Sequence, residues 1–347
     1  MGLRTYVIRR LLLLIPTLLG VSLLIFAIMQ MFSPATRAFV MVQNPEKINI
    51  QDLPALIEKL GLNDPFYVQY FRWLSQVLAG NLGWSNSLDQ PVAMAMIDRA
   101  PASFELVVFS APVIILLGIY LGVKSAVHQD KTIDHLTRTV SIIGWSLPTF
   151  WAAIVLLAIF YAWLGWFPAE RLDPTLQSFV LSPSSAWTKY TGLYTIDGLL
   201  NGRADITLDA LRHLVLPVVT LTIISIALII RVMRSSMLEA LHAGYVISAR
   251  AKGLDDNEVI NKHARRNALI PTITISGLLV AGMLNGVVIT ETVFTFNGLG
   301  YFAAASALQL DVAAILGFAL FTGVIFVLTN LIVDILYAFI DPRIRLD

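Results

Sequence analysis

The sequence predicts an all-α polytopic membrane protein with six transmembrane helices, cytoplasmic N- and C-termini and a helical extracytoplasmic insertion. Of the 347 residues, 57% are hydrophobic and only 14% are charged, whereas a soluble domain is about 45–50% apolar and about 25% charged. The apolar residues are also gathered in runs of around twenty, the length that a helix needs to cross a hydrocarbon core of about 30 Å. These two observations exclude an ordinary soluble domain.

Six apolar stretches are long enough, or nearly long enough, to form transmembrane helices. They are residues 11–32, 106–123, 140–167, 214–230, 273–293 and 312–340. The first could be a signal peptide, but its run of about 22 residues exceeds the roughly 7–15 of a signal sequence. We therefore expect a retained span. Pro148, inside the third stretch, predicts a kink or an early end of that helix.

Lysines and arginines fix the orientation of these helices. If the N-terminus is cytoplasmic, the segments that face the cytoplasm hold 15 of the 24 lysines and arginines. These segments are residues 1–10, 124–139, 231–272 and 341–347. Because basic residues concentrate on the cytoplasmic side of membrane proteins, both termini are expected in the cytoplasm.

The spans divide the chain into three parts. Residues 1–32 form an N-terminal transmembrane helix, residues 33–103 an extracytoplasmic helical segment, and residues 104–347 a core with the other five helices. A second outside loop, about 168–212, is rich in Pro, Ser, Gly and Thr. The two outside segments are either a docking platform or simple connectors.

Polar residues near the outer end of the fifth span are candidates for a translocation path or gate. They are Asn285, Glu291, Asn297, Gly298 and Gly300. Glu291 is either an outer gate or a local cap, and Asn285 either lines the path or bonds a neighbouring helix. The Asn-Gly-Leu-Gly turn at 297–300 precedes a short helix that lies on the surface or lines the outer end of a cavity.

No catalytic, cofactor-binding or metal-binding residue is assigned. The chain has no cysteine, and its five histidines lack metal-ligand spacing. Neither a GxSxG hydrolase motif nor a GxxxxGK[ST] phosphate-binding loop occurs. If the protein uses ATP, the site for it is expected in another subunit.

The longest cytoplasmic segment, about 231–272, has the pattern of two helices joined by a turn. Gly253 predicts the end of the first helix, and the second is expected to begin near Asp255 and to run to His263. Pro271 is expected to open the next span. An ordinary basic loop beside anionic lipid explains the charges. The small residues in the first helix favour docking of a partner, and both interpretations stay open on composition alone.

The segment resembles the cytoplasmic EAA loop of ABC importer permeases, in the form found in the dipeptide/oligopeptide permease family. The residues that carry the resemblance are Glu239, Ala240, Tyr245, Ala249, Arg250, Ala251, Lys252, Gly253, Leu254, His263, Arg266, Asn267 and Pro271. YVIRRLLLLIPTLLGVSLLIF, SLPTFWAAIVLL, TETVFTFNGLG and NLIVDILYAFIDPRIR match further family stretches in the same order. The resemblance covers nearly the whole chain and is to the first, B-type, permease subunit. Leu241 departs from the general EAA pattern, and SPATRAF stands where many relatives have a Gly-Asp-Pro-like turn.

The resemblance implies a permease subunit, not an enzyme, in a prokaryotic cytoplasmic (inner) membrane. It would pass di- or oligopeptides received from an extracytoplasmic solute-binding protein, beside a sister permease subunit in a heterodimer. Two cytoplasmic ATPases would bind ATP and Mg and contact the residues of the loop, whose first short helix is similar to a coupling helix. Membrane lipid is a further expected partner, and nucleic acid is not.

Two alternatives to a peptide importer remain. The first is an ABC permease for a nickel chelate, glutathione or an oligosaccharide. The second is a self-sufficient secondary transporter, which predicts inverted repeats and charges near mid-span. Neither feature is evident in the sequence, and an intramembrane enzyme ranks third.

Overall fold

In the computed structural model, which describes residues 3–42, 52–284 and 287–340, long apolar helices dominate the chain. Five stretches are long and apolar enough to cross a membrane, and a bent pair of helices could form a sixth span. The five are Ile8–Met29, Val92–Val127, Ala204–Leu241, Asp256–Leu284 and Val312–Val333. The predicted all-α polytopic fold is confirmed.

The elements follow one another along the chain in a simple order. They are α1 (Leu3–Met29), α2 (Pro34–Met41), α3 (Leu53–Lys59), α4 (Phe66–Leu78), β1 (Trp84–Ser85), β2 (Gln90–Pro91), α5 (Val92–Val127), α6 (Thr132–Ser146), α7 (Thr149–Leu156) with a π-helical continuation (Leu157–Trp163), α8 (Pro174–Leu181), α9 (Tyr194–Leu200), α10 (Ala204–Leu241), α11 (Gly244–Ala251), α12 (Asp256–Glu258) with a π-helical continuation (Val259–Ala264), α13 (Arg265–Leu284), α14 (Val288–Val293), α15 (Leu299–Leu308) and α16 (Val312–Ile340).

The third predicted span is a broken helix. Helix α6 ends at Ser146, and α7 with its continuation leaves at an angle of 101°. Leu147 has an extended backbone, with ψ of 130°, because the proline ring that follows disfavours the helical conformation. The predicted kink at Pro148 is confirmed. The helix also begins earlier than residue 140, since α6 includes residues that the sequence assigned to a cytoplasmic loop.

Helices α5 and α10 are much longer than their predicted spans. Helix α10 has 38 residues, about 57 Å at 1.5 Å per residue, against a hydrocarbon core of about 30 Å. It therefore extends past Arg231 and Arg234, and its last turns project beyond the membrane on the cytoplasmic side. Helix α5 begins at Val92, so it crosses the boundary predicted at 103/104.

The fifth predicted span, residues 273–293, is wrong at both ends. One continuous helical stretch runs over Asp256–Leu284, and α14 is a separate short helix. Pro271 does not open the span but lies inside α13. Its ring removes the donor that would reach the carbonyl of Asn267. Because Asn267 is exposed, water can replace that donor.

Close contact between α5 and α10 forms the centre of the bundle. A Cβ atom on Gly118 would lie 2.6 Å from Ile229 Cγ2, and one on Gly122 would lie 2.7 Å from Met233 Cβ. Small residues four apart let two helices in a membrane approach closely. The C-terminal half of α10 is thereby packed against α5, and the core holds its cytoplasmic end in place.

Buried carboxylates tie the outside segments to this core. Glu105, on α5, accepts hydrogen bonds from Arg171 Nε at 2.9 Å and from the backbone N–H of Thr195 at 2.9 Å. Asp311, before α16, accepts one from Ser85 Oγ at 2.7 Å. Strand β1 pairs antiparallel with β2, inside the outside segment that the sequence predicts to be helical. The outside segments are packed extensions of the bundle rather than simple connectors.

Candidate functional site

A helical hairpin projects from the cytoplasmic end of the bundle. We call residues 242–264 the cytoplasmic hairpin. Its first arm is α11, and its second arm is α12 with the π-helical continuation Val259–Ala264. Val246 and Ala249 of α11 are buried in one cluster with Val259 and Ala264 of the second arm. The two arms therefore form one packed unit on the end of α10.

Gly253 ends the first arm, as predicted. Its φ is +80°, a left-handed conformation that glycine adopts without the steric penalty of a Cβ atom. Its N–H donates to the carbonyl of Arg250 at 2.9 Å, and the N–H of Leu254 donates to that of Ala249 at 3.4 Å. This pair of bonds is a Schellman motif, which satisfies the last carbonyls of a helix.

The second arm begins where the sequence predicts and ends elsewhere. The Asp255 carboxylate accepts a hydrogen bond of 3.0 Å from the N–H of Asn257 and caps the helix. The predicted end at His263 is wrong, because the helix continues without a break to Leu284. The second arm and the fifth span are one helix, so a displacement of the hairpin passes directly into the membrane.

A groove at the base of the hairpin brings together five of the predicted ATPase-contact residues. These are Glu239, Ala240, Tyr245, Asn267 and Pro271, and the groove has a volume of about 290 Å³. Although α10 and α13 are far apart in sequence, the hairpin returns the chain to the same place. The structure thus places the two ends of the predicted motif side by side.

The other predicted contact residues differ in exposure. Arg250, Ala251, Lys252, Gly253, Leu254 and Arg266 are exposed, His263 is half-buried, and Ala249 is buried. Ala240 of the groove is also buried, and both alanines belong to the chain's own core. Ala249 packs between the two arms and Ala240 packs at the end of α10, so both small residues serve the chain's own core, and their contact with a partner stays a prediction.

Ile247 is an exposed apolar residue that no sequence pattern singled out. It lies on α11 with 58% of its surface exposed, and Tyr245, two positions earlier on another side of the helix, is 42% exposed. A solvated helix outside the membrane gains nothing from exposed apolar side chains, and such patches mark contact surfaces. The run Tyr-Val-Ile-Ser could not show which apolar residue points outward, because α11 is only eight residues long.

An ion pair beneath the hairpin joins α6 to α10. Arg234 donates from Nε and Nη2 to the two oxygens of Asp134, each at 2.7 Å. Ser125 Oγ donates to the same carboxylate at 2.5 Å, and the N–H of Asp130 at 3.0 Å. Asp134 is fully buried. No local sequence pattern predicts this pair, since its members are 100 positions apart.

Glu291 organises the outer turn. Its buried carboxylate accepts hydrogen bonds from Ser103 Oγ at 2.6 Å and from the N–H of Tyr301 at 2.9 Å. A Cβ atom on Gly298 would lie 2.6 Å from that carboxyl carbon, and one on Gly300 would lie 2.8 Å from the backbone nitrogen of Val288. Of the two alternatives for Glu291, this geometry is that of a local cap.

Two predicted path residues remain, Asn297 and Asn285. Asn297 is exposed, with φ of +49° in the tight outer turn. Asn285 lies outside the described residues. The predicted path residues that the structure describes lie together in the outer turn, and their role in a path or gate stays a prediction.

A different groove lies between the start of α7, the middle of α10 and α14. Its polar lining is Thr149 at the start of α7, Ser225 in α10 and Thr290 in α14, and its volume is about 290 Å³. The Thr290 hydroxyl is buried and has no hydrogen-bond partner among the described residues. Irregular backbone at membrane depth is tolerated where it is buried in protein or lines an aqueous cavity. The helix breaks and the unpartnered hydroxyl therefore mark this groove as the better candidate for a path.

Metal coordination has no basis in the part of the chain that the structure describes. No group of three or more His, Asp or Glu side chains there could hold a metal ion. His213, for example, is buried beside the Asp209 carboxylate at 3.3 Å on the same helix.

Two family models match the chain. Residues 114–346 match the model described as "Binding-protein-dependent transport system inner membrane component". Residues 3–107 match the model for the N-terminal part of such a membrane component. Together the two matches include the cytoplasmic hairpin, the broken helices and the outside segment.

Curated relatives match over almost the same length. The dipeptide transport system permease protein of Alkalihalophilus pseudofirmus is 37% identical over 340 residues, 98% of this chain and 99% of the relative. The di/tripeptide transport system permease protein of Pseudomonas aeruginosa is 37% identical over 342 residues, 98% of each chain. The oligopeptide transport system permease protein of Bacillus subtilis is 36% identical over 341 residues, 98% of this chain and 99% of the relative.

Proposed function

We propose, from the premise that this chain belongs to the family of binding-protein-dependent transport system inner membrane components, that it is the permease subunit of an ABC importer for di- or oligopeptides. The chain is a multi-pass protein of the inner membrane, and its family is one of transport permeases rather than of catalysts. Peptide is the cargo named for the similar permeases of three different bacteria. That agreement supports a peptide over a nickel chelate, glutathione or an oligosaccharide.

One observation carries the proposed mechanism: the cytoplasmic hairpin continues into a transmembrane helix without a break. A cytoplasmic ATPase that binds α11 and changes its own position displaces the second arm as well, because the two arms share a buried cluster. The second arm is the start of the fifth span, so the motion reaches α13. At the far end of α13 lies the groove with Thr290 and Ser225. ATP-driven motion inside the cell is thus coupled to the candidate path.

The exposed face of α11 is the proposed ATPase contact. Ile247 provides exposed apolar area and Arg250, three positions later, lies next to it, while Tyr245 lies on the opposite flank of the buried face near Lys252. Apolar area bordered by charged residues is common in protein–protein contacts. ATP and Mg would be bound by two such ATPase subunits, which dock on this chain and on its sister permease.

The groove with Thr149, Ser225 and Thr290 is the proposed peptide path. A peptide backbone carries N–H and C=O groups that need partners inside a membrane. Hydroxyl groups both donate and accept hydrogen bonds. They can therefore form hydrogen bonds with the backbone of a peptide whatever its side chains are. The packed outside segments would receive the peptide from an extracytoplasmic solute-binding protein.

Uptake of labelled peptide by cells tests the proposal. The chain is expressed with its sister permease, ATPases and binding protein in a host that lacks its own peptide importers. We expect saturable uptake of a labelled dipeptide that depends on ATP and is competed by unlabelled di- and tripeptides. Competition by a nickel chelate, glutathione or an oligosaccharide, with none by peptides, would reject peptide as the cargo.

A substitution in the hairpin separates coupling from cargo choice. Ile247→Asp places a charge on the proposed ATPase contact and should abolish uptake, while the protein still inserts. Gln129→Asp adds the same charge to an exposed residue of another cytoplasmic loop and should leave uptake unchanged. Normal uptake by Ile247→Asp would reject α11 as the ATPase contact.

A further inference from the structure

A basic groove lies between α6 and α10 at the cytoplasmic end of the bundle. It is lined by Arg138, Ser141 and Ile142 of α6 and by Ala227, Ile230, Arg231, Arg234 and Ser235 of α10, and its volume is about 440 Å³. The proposed transport mechanism uses none of its arginines. Three positively charged guanidinium groups in one groove repel one another, so a bound anion is electrostatically favourable there.

The Asp134 carboxylate, which does not line the groove but pairs with one of its arginines, does not neutralise all three. Asp134 neutralises Arg234 through Nε and Nη2 and leaves the Nη1 nitrogen of that guanidinium without a hydrogen bond among the described residues. Arg138 and Arg231 form no ion pair in the described part of the chain, and the Arg231 guanidinium lies over the Trp145 ring, 5.9 Å from its centroid. Among the described residues, no carboxylate neutralises these two positive charges.

The depth of the groove matches that of lipid headgroups. Arg231 directly follows the apolar run of α10, where the hydrocarbon core ends on the cytoplasmic side. On the membrane side of the arginines, Ile142 and Trp145 are 60% and 53% exposed. Tryptophan is typical of the membrane–water interface, where its ring meets both chains and headgroups. The groove thus has a cationic end above an apolar, outward-facing flank.

We propose that this groove binds the phosphodiester headgroup of an anionic phospholipid of the cytoplasmic leaflet. Guanidinium groups bind phosphate oxygens by paired, charge-assisted hydrogen bonds. Basic pockets between transmembrane helices on the cytoplasmic side suit anionic headgroups. The lipid's glycerol and acyl chains lie along Ile142 and Trp145. Bound there, the lipid links α6, the first half of the broken helix, to the α10 extension that carries the hairpin.

Binding of two lipids to the purified full-length chain tests the site. Phosphatidylglycerol and phosphatidylcholine with identical acyl chains are titrated in detergent and followed by native mass spectrometry. We expect selective binding of phosphatidylglycerol, which weakens as salt is added. The double variant R138Q/R231Q should bind it roughly thirtyfold more weakly, since two basic residues at the headgroup surface are removed.

The matched control removes two charges elsewhere on the same side. K131Q/R265Q changes two exposed cytoplasmic residues outside the groove and should keep the wild-type affinity. R138K/R231K keeps the charges without the guanidinium geometry, and its affinity should fall between those of the wild type and R138Q/R231Q. Equal loss in the control, or no loss in R138Q/R231Q, would overturn the proposal.

Two further results bear on the proposal if the variants do not fold. Equal affinity of the wild-type chain for both lipids would show that the groove does not select an anionic headgroup, and would overturn the proposal. Cross-linking of Ile142→Cys to the sister permease in the assembled transporter, unaffected by phosphatidylglycerol, would assign the groove to a subunit contact. Selective binding with no such cross-link supports the lipid site.

Discussion

The Arg234 guanidinium donates two hydrogen bonds of 2.7 Å to the fully buried Asp134 carboxylate. This pair joins α6 to the part of α10 that leads into the cytoplasmic hairpin. Removal of Arg234 leaves the buried carboxylate without its cationic partner, and neutralisation of Asp134 leaves the half-buried guanidinium without its anion. This situation costs about 3 kcal/mol of unfolding free energy. We expect D134N and R234Q each to lower the thermal midpoint of the purified chain.

A double variant shows whether the two side chains act as a pair. D134N/R234Q should lose less stability than the two single losses added together, because the second substitution removes an already uncompensated group. Strictly additive losses in thermal unfolding would contradict a direct interaction.

Gly253 should be needed for transport rather than for membrane insertion. Gly253→Ala places a Cβ atom in a left-handed conformation, which costs about 1 kcal/mol, and it weakens the Schellman turn that orients Leu254. We expect reduced peptide uptake with normal amounts of protein in the membrane. Gly202→Ala is the control, because Gly202 also has a positive φ, +68°, and open space around it but lies in the outer loop. Equal loss of uptake in both variants would contradict a role of the hairpin turn.

Gly298→Ala should destabilise the outer turn, because its Cβ atom would lie 2.5 Å from Ser103 Oγ and 2.6 Å from the Glu291 carboxyl carbon. Overpacking of this kind costs about 2 kcal/mol. Thermal unfolding of the purified variant measures the effect. Gly282→Ala, with nothing within 4 Å of the new Cβ atom, should leave the midpoint unchanged or slightly raised, and a midpoint for Gly298→Ala at the wild-type value would contradict the cap geometry.

Thr290→Val should lower peptide uptake without lowering stability. The hydroxyl has no hydrogen-bond partner in the described part of the chain, so its removal loses nothing within the fold. A peptide in the groove would lose a hydrogen bond, and we expect a higher KM for dipeptide uptake. Thr222→Val is the control, since the Thr222 hydroxyl bonds only the carbonyl of Val218 in its own helix. An unchanged KM for Thr290→Val would place the path elsewhere.

Much of the fold could be predicted because the bilayer imposes it. The long apolar runs predict the transmembrane helices, and the basic residues on one side predict their orientation. Pro148 predicts the break in the third span. The ends of the spans could not be predicted in the same way, since α10 and α13 continue as helices into water. Their continuation depends on packing of the hairpin's buried cluster, in which Val246 and Val259 meet from separate arms.

The candidate site was predictable only in part, and the reason is again tertiary. Gly253 and Asp255 are local signals, and both hold in the structure. Which side of α11 faces outward depends on the second arm, so the sequence does not show that Ala249 is buried and Ile247 exposed. The Asp134–Arg234 pair and the groove of Thr149, Ser225 and Thr290 each join distant parts of the chain, and no local pattern announces them.

The central claim is that the outward face of α11 contacts an ATPase, and cysteine cross-linking tests it most directly. The chain has no native cysteine, so single cysteines can be placed without background. Ile247→Cys lies on the exposed face, and Val246→Cys, one residue earlier, is fully buried. In membranes that contain the assembled transporter, Ile247→Cys should cross-link to the ATPase subunit through a short thiol-reactive reagent, and Val246→Cys should not. The absence of a cross-link from Ile247→Cys, in a transporter that still takes up peptide, would contradict the account.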